Sequence, residues 1–338
     1  MFNRRLKGLA LAAAGIAVGC AVGAACGAAS PTAPHAQADR YQAWRTAAVA
    51  NLAARADANS LATAAALRYA GTAYGTRAGV PKSGASALEL AARAGEMEPQ
   101  NASIGWLSLQ LCANTPACDI RGAATAMRWV DAENGAAWLP TLAAAQREKD
   151  FTEVDRVLAD MAHGSRFDLY WNRIVVLMVD ALYSARRGLP GGFAASDSSR
   201  LKTVAGIAGS EIIPPFAALM EACRESSSAP ERRDPCMKLS KTMQHSDTIV
   251  AQLAGYTIEK RLHAPDSKEA RAIAERRHVL EWRFAAASKL DDPLLPWTRN
   301  ARARTRLAHM RAMPREEDVC IAILRENKMA LEPPEVHP

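Results

Sequence analysis

Two short segments of this chain, 33 residues apart, read almost alike. The first is Glu98-Pro99-Gln100-Asn101, followed by Ala102-Ser103-Ile104-Gly105-Trp106-Leu107. The second is Asp131-Ala132-Glu133-Asn134, followed by Gly135-Ala136-Ala137-Trp138-Leu139. In each, an Asn precedes small residues and then Trp-Leu. An Asn at that place offers its side-chain oxygen to the free N–H groups of a helix start. A capped helix recurring at this period is the pattern of helical-hairpin repeats. One such unit cannot bury its apolar face alone and stacks on the next.

Composition agrees. The chain has 338 residues, 49% of them hydrophobic but only 6% aromatic, and Ala dominates the apolar count. Ala favours helix and lets helices approach closely, while each one buries little area. Runs of alternating β-branched residues are missing, so the expected fold is all-α, built of stacked antiparallel hairpins. The formal charge is +7, and Arg4, Arg5 and Lys7 supply three of those charges, leaving +4 without them. That is too weak to argue for nucleic acid.

The first residues carry their own signature. Met1 to Lys7 is basic, and Leu9 to Ala25 is apolar, uncharged and rich in Ala and Gly. Ser30-Pro31-Thr32-Ala33-Pro34 follows as a helix breaker. This is the layout of a secretory signal peptide over residues 1–29, with a linker over 30–38. A membrane anchor is the alternative, but the apolar run of about 17 residues is at the lower limit for spanning. Val22-Gly23-Ala24-Ala25-Cys26 resembles a bacterial lipobox, although Gly23 stands where Leu is usual; Ala17-Val18-Gly19-Cys20 is a poorer match. Cys26 is thus the candidate for lipid attachment, which would hold the protein at a membrane.

Five cysteines lie beyond the leader. Cys112 and Cys118 flank a turn sequence, and Cys223 and Cys236 flank a Ser/Pro/Arg/Asp-rich loop. Each pair is a candidate disulfide clipping its own loop, which export to an oxidising compartment permits. Neither pair has a CxxC spacing or a nearby His, so no metal is expected there. Cys320 lies among Val319, Ile321, Ile323 and Leu324 and is expected as a buried thiol.

Helices are expected from Asp39 to Arg55, from Asn59 or Ser60 to about Tyr74, and from Ala85 to Ala94, where Gly95 ends the third. Asn101 caps the next, to about Ala113. Asp119 opens another, to about Val130. Asn134 caps one through Gln146, and Thr152 caps its partner. The stretch from about 98 to 163 resembles degenerate tetratricopeptide-type repeats. Trp138 stands where that family's first helix has its large aromatic, Val154, Leu158 and Met161 stand along the second, and Pro99 matches a repeat-closing proline. Pro140 and Ala132 depart from the pattern. The resemblance implies hairpins stacked side by side.

Phe167 to Arg187 is the most apolar stretch past the leader, but Arg173 and Asp180 favour a buried helix over a membrane span. Gly188-Leu189-Pro190-Gly191-Gly192 suggests a boundary between a repeat region, 39–187, and a C-terminal helical region, 193–330, with a tail over 331–338. Helices there are expected at about 211–224, 236–244, 247–263, 267–289, 298–311 and 315–328. The C-terminal region either continues the stack or forms a bundle.

Chemistry-bearing motifs are sparse. There is no Gly-x-Ser-x-Gly and no Gly-rich phosphate loop. His278 shares a helical face with Glu275 and Glu281, a pattern typical of an exposed, charge-paired helix. Glu96, Glu98, Asp131 and Glu133 fall at repeat junctions, where capping is the expected role, and Trp106, Trp129 and Trp138 are expected in the core. Arg299, Arg302, Arg304, Arg306, Arg311 and Arg315 are a candidate face for anionic lipid. No cofactor is expected. The expected role is a scaffold in the periplasm or cell envelope that holds a protein or peptide. The alternatives are an envelope hydrolase with a dispersed site, or a structural protein of the membrane surface.

Overall fold

The computed structural model describes residues 33–73, 86–189, 193–211, 213–224, 230–291 and 296–334. The proposed signal segment and Cys26 lie outside them. Two compact units divide after Asp39, and the second runs from Arg40 to Pro338. The described residues form fifteen α-helices and no strand. None of these helices is long and apolar enough to cross a membrane.

The first helix, α1 (Ala33–Ala53), begins earlier than the expected Asp39. Pro34 falls in its first turn, where a missing N–H breaks no helical bond. Helix α2 (Ala58–Ala73) is capped by Asp57, whose Oδ1 accepts from the Ser60 N–H at 2.8 Å. The expected cap at Asn59 or Ser60 is displaced because Asp57 reaches the same free N–H groups first. Leu61, Ala62, Ala64, Ala65, Ala66 and Leu67 are all fully buried. A helix buried all round belongs at a centre, and α2 contacts three later helices besides the one that follows it.

Ser86 and Glu89 form a capping box on α3 (Ala87–Met97), and the helix runs past Gly95 to Met97 instead of ending there. Asn101 caps α4 (Ala102–Ala113), accepting from Ser103 N at 3.1 Å and Ile104 N at 3.4 Å. Asp119 caps α5 (Ile120–Val130) through Gly122 N at 2.9 Å. At the second repeat, Asn134 opens a short 3-10 turn, Gly135–Trp138, and α6 (Leu139–Glu148) starts only after it. Pro140 thus sits in the first turn of α6, the place that tolerates it. Lys149 turns the chain in the left-handed region at φ 58°, and Asp150, not Thr152, caps α7 (Phe151–His163).

Helices α8 (Trp171–Ala185) and α9 (Asp197–Glu211) follow. The second was not expected, because its Ser- and Gly-rich sequence reads as loop. Ser196 starts it by accepting from Ser199 N at 3.1 Å, and Val204, Ile207 and Ala208 are buried at helical spacing. Pro214-Pro215 delays α10 to Ala217–Arg224. Then come α11 (Arg233–Met243), α12 (Ile249–Leu262), α13 (Lys268–Asp291), α14 (Pro296–Ala312) and α15 (Glu316–Glu326).

Helices α2 to α7 pack in sequence, each on the next, with α2 also on α4. This is the arrangement of stacked hairpins, compatible with a helical repeat. Helix α8 then lies against α2 and α4, and α10 lies against α6. The first helices of the three hairpins are therefore covered by the chain's own later helices. Helix α8 also packs on α9 and α14, and α9 on α2 and α14, so the residues on either side of Gly188 share one core.

Candidate functional site

The functional residues begin where the second repeat meets α8. The Asn134 side chain is buried and makes four hydrogen bonds. Its Oδ1 accepts from Ala136 N at 3.1 Å and Asp168 N at 2.9 Å. Its Nδ2 donates to the Asp168 carbonyl at 2.8 Å and to the Tyr170 hydroxyl at 3.1 Å. All the polar capacity of the amide is used. Alongside, Gly135 N donates to Arg166 O and Arg166 N donates to Glu133 O, a single bridge of parallel backbone. The approach is close enough that a Cβ on Gly164 would lie 2.7 Å from Gly135 N.

Asp131, also buried, accepts from the Tyr170 hydroxyl on one oxygen and from Arg166 on the other. Tyr170 itself adopts a left-handed backbone, φ 58°, at the entry to α8. That conformation is costly for an aromatic residue, and the hydroxyl anchored between Asn134 and Asp131 holds it. Burial, then the Asp131 carboxylate, push the phenol well above its usual range. The Arg166 guanidinium is raised by its hydrogen bond to Asp131.

A second carboxylate enters from far along the chain. Asp247, in the turn between α11 and α12, accepts from Leu169 N at 2.7 Å and Trp171 N at 3.1 Å. It thus caps α8, whose own preceding residue is an aromatic with no capping oxygen. Burial first, and the neighbouring Asp168 second, raise the Asp247 carboxyl to about 7. Its carbonyl accepts from Glu316 N at 2.8 Å, and the Glu316 side chain in turn accepts from Ile249 N at 2.9 Å, at the start of α12. Burial also raises Glu316 and Asp168. Asn172 donates to the Met313 carbonyl at 2.9 Å. One polar junction therefore ties the repeats, α8, α12 and α15 together. Its side-chain oxygens on Asp131, Asp247 and Glu316 are engaged in holding backbone and neighbours.

An open groove lies elsewhere, walled by α11, α12, α13 and α15. Its volume is about 860 Å³. Met237, Tyr256, Ile273, Val279 and Leu280 supply an apolar floor. Two ion pairs cross it, Arg276–Glu259 at 3.5 Å and Arg283–Glu317 at 2.8 Å. Glu269, Glu275 and Glu332 stand exposed on the rim, together with the cations Lys241 and Arg276.

Cys112–Cys118 and Cys223–Cys236 are disulfides, and Cys320 is a buried thiol outside both. His278 is exposed, Glu281 is tied to Arg277 at 2.8 Å, and Glu275 reaches the groove instead. Among the described residues no three His, Cys, Asp or Glu side chains gather as metal ligands. Glu98 accepts from Asn101 Nδ2 at 2.7 Å in an exposed turn, whereas Asp131 is buried.

Trp106 is in the core as expected, but Trp129 is 81% exposed. The apolar face of α5 is carried by Ala124 and Met127, which turns Trp129 outward. Trp138 is half-buried, with the Arg128 guanidinium 3.8 Å from its ring centre. Of the six C-terminal arginines, Arg302 donates to Asn327, Arg304 pairs with Asp197, Arg311 with Asp180, and Arg315 with Glu317. That face is largely spent on internal partners. Asp168, Tyr170, Asp247 and Glu316 were not legible as a group, because their sequence separations carry no motif.

Comparison of the chain with family models, with curated proteins and with solved structures finds no match.

Proposed function

We propose that this chain is an exported helical scaffold of the cell envelope that holds a protein or peptide partner, and that the partner lies in the groove floored by α13. The observation that carries this reading is where open surface remains. The first helices of the hairpins, α2, α4 and α6, are the face a free stack of tetratricopeptide-type repeats would offer. Here α8 and α10 occupy it. The groove has the apolar floor and polar rim of a partner site. Two disulfides support the export reading, since such bonds persist in oxidising compartments. We read the hairpins of residues 98–163 as degenerate repeats whose role has become internal support.

The test is a photo-crosslinking residue placed at Lys241, on the groove rim, in the native cell. A control copy carries it at Trp129, the exposed side chain on α5. Recovery of one recurrent envelope partner from Lys241 and not from Trp129 supports the assignment. A partner captured only from Trp129 moves the site to the outer face of the hairpins, and no adduct from either refutes the scaffold reading.

A further inference from the structure

We infer that the groove takes an amphipathic α-helix bearing basic side chains; this rests on the groove being the partner site. The shape argues for a helix. Glu269, Ile273, Arg276, Leu280 and Arg283 follow one another along α13 at spacings of three and four, all facing the groove. Tyr256 and Glu259 on α12, followed by His263 just past its end, do the same. Rows at that spacing accept the side chains of another helix between them. From Glu269 to Arg283 the α13 wall is about 21 Å long at 1.5 Å per residue, the length of a helix of about 14 residues. Addition of a β-strand would need a free sheet edge, and the described residues contain no strand.

Charge names the occupant's chemistry. The lining holds five carboxylates, on Glu259, Glu269, Glu275, Glu317 and Glu332, against Lys241, Arg276 and Arg283. Two of the acids are already matched by Arg276 and Arg283. The exposed remainder is Glu269, Glu275 and Glu332 against Lys241. This acidic rim belongs to a chain with formal charge +7. It favours Lys or Arg flanking an apolar stripe and disfavours an acidic partner. Met237, Ile273 and Leu280 would receive the stripe.

The test uses the full exported chain and three labelled synthetic helices of 14 residues, read by fluorescence polarisation. One carries Leu at three-four spacing with Lys elsewhere. The second has the same composition scrambled so that no apolar face forms, and the third has Glu in place of Lys. The expected result is saturable binding of the first helix only. A chain carrying both Glu269→Lys and Glu275→Lys should bind it about tenfold more weakly, from reversal of two exposed charges. Lys241→Glu should tighten it severalfold, which keeps the proposal open to refutation if the double variant folds poorly. Equal binding of the scrambled peptide would mean unspecific charge attraction and overturn the inference. Preference for the Glu peptide, or no binding at all, would overturn it too. The scaffold reading survives either of those results if crosslinking at Lys241 still captures a partner.

Discussion

Asn101 and Asn134 occupy the same place in the two matching segments, yet their replacement by Ala should have very different effects. Asn101 caps α4 at a half-buried turn, through the backbone N–H groups of Ser103 and Ile104 on its own helix. Loss of such a cap costs about 1 kcal/mol. Asn134 is 1% exposed and satisfies the N–H groups of Ala136 and Asp168, the Asp168 carbonyl and the Tyr170 hydroxyl. A buried polar group left without a partner costs about 1–3 kcal/mol. Two stranded N–H groups, partly compensated by relaxation, put Asn134→Ala at about 3–5 kcal/mol. At roughly 2 °C per kcal/mol for a chain of this size, the melting temperature should fall by about 6–10 °C for Asn134→Ala and by about 2 °C for Asn101→Ala. Thermal unfolding followed by circular dichroism at 222 nm reads both. Asn134→Asp should not rescue the loss, because it turns a donor into an oxygen facing the Asp168 carbonyl and the Asp131 side of the junction. Equal shifts for the two Ala variants would refute the claim that the second repeat is fused to α8 through this amide.

Three further outcomes are expected. Asp247 holds a proton in the folded state that the unfolded chain releases between pH 3.8 and about 7. Its contribution is therefore complete below about pH 4 and is lost as pH rises through 7. Asp247→Asn should flatten that part of the stability profile, measured by urea midpoints at pH 5 to 8, while costing about 1–3 kcal/mol at pH 5 for the acceptor it loses. Gly255→Ala should cost about 1–3 kcal/mol by overpacking, since its Cβ would lie 2.7 Å from Ser240 O and 2.8 Å from Met243 Cβ where α11 meets α12; an unchanged melting temperature would show that the two helices part freely. Replacing each cystine by two Ser should cost about 2 kcal/mol for Cys112–Cys118 and about 3 kcal/mol for Cys223–Cys236, following their separations of 6 and 13 residues; thermal unfolding with and without reductant compares them.

The helical class and most helix starts were legible because caps act locally. Asn101, Asp119 and Asn134 each bond an N–H two or three residues on. The misplaced starts have local causes as well: Asp57 and Asp150 each lie just before the oxygen that had been expected to cap. Helix α9 was missed because Ser196 and Ser199, which read as loop, start it, and because Gly206 and Gly209 interrupt its apolar pattern. In the sequence the groove shows only as charge patterning on α13, where Glu275 shares a face with His278. Its walls come from four helices that the sequence does not order in space.

The junction shows why its members could not be read in advance. An oxygen capping its own helix leaves a signal within four residues, because the chain geometry forces the partner to be near. Asp247 instead caps a helix that begins 76 residues earlier. Any carboxylate brought there by folding would serve, so nothing near Trp171 marks the need except an absence: Tyr170, with no capping oxygen, at the start of a strongly apolar helix. That absence is a usable signal. A strongly apolar helix with no local cap must take its acceptor from elsewhere or leave buried N–H groups unpaired. That acceptor must then be an oxygen of a buried Asp, Glu, Asn, Ser or Thr in a distant turn. Here that requirement pins α8 to the α11–α12 turn and, through Glu316, to α15. The same bonds hold α12 and α15, two walls of the groove, against the start of α8. Loss of the Asp247 cap should therefore loosen the start of α8 and the α12 and α15 walls of the groove together.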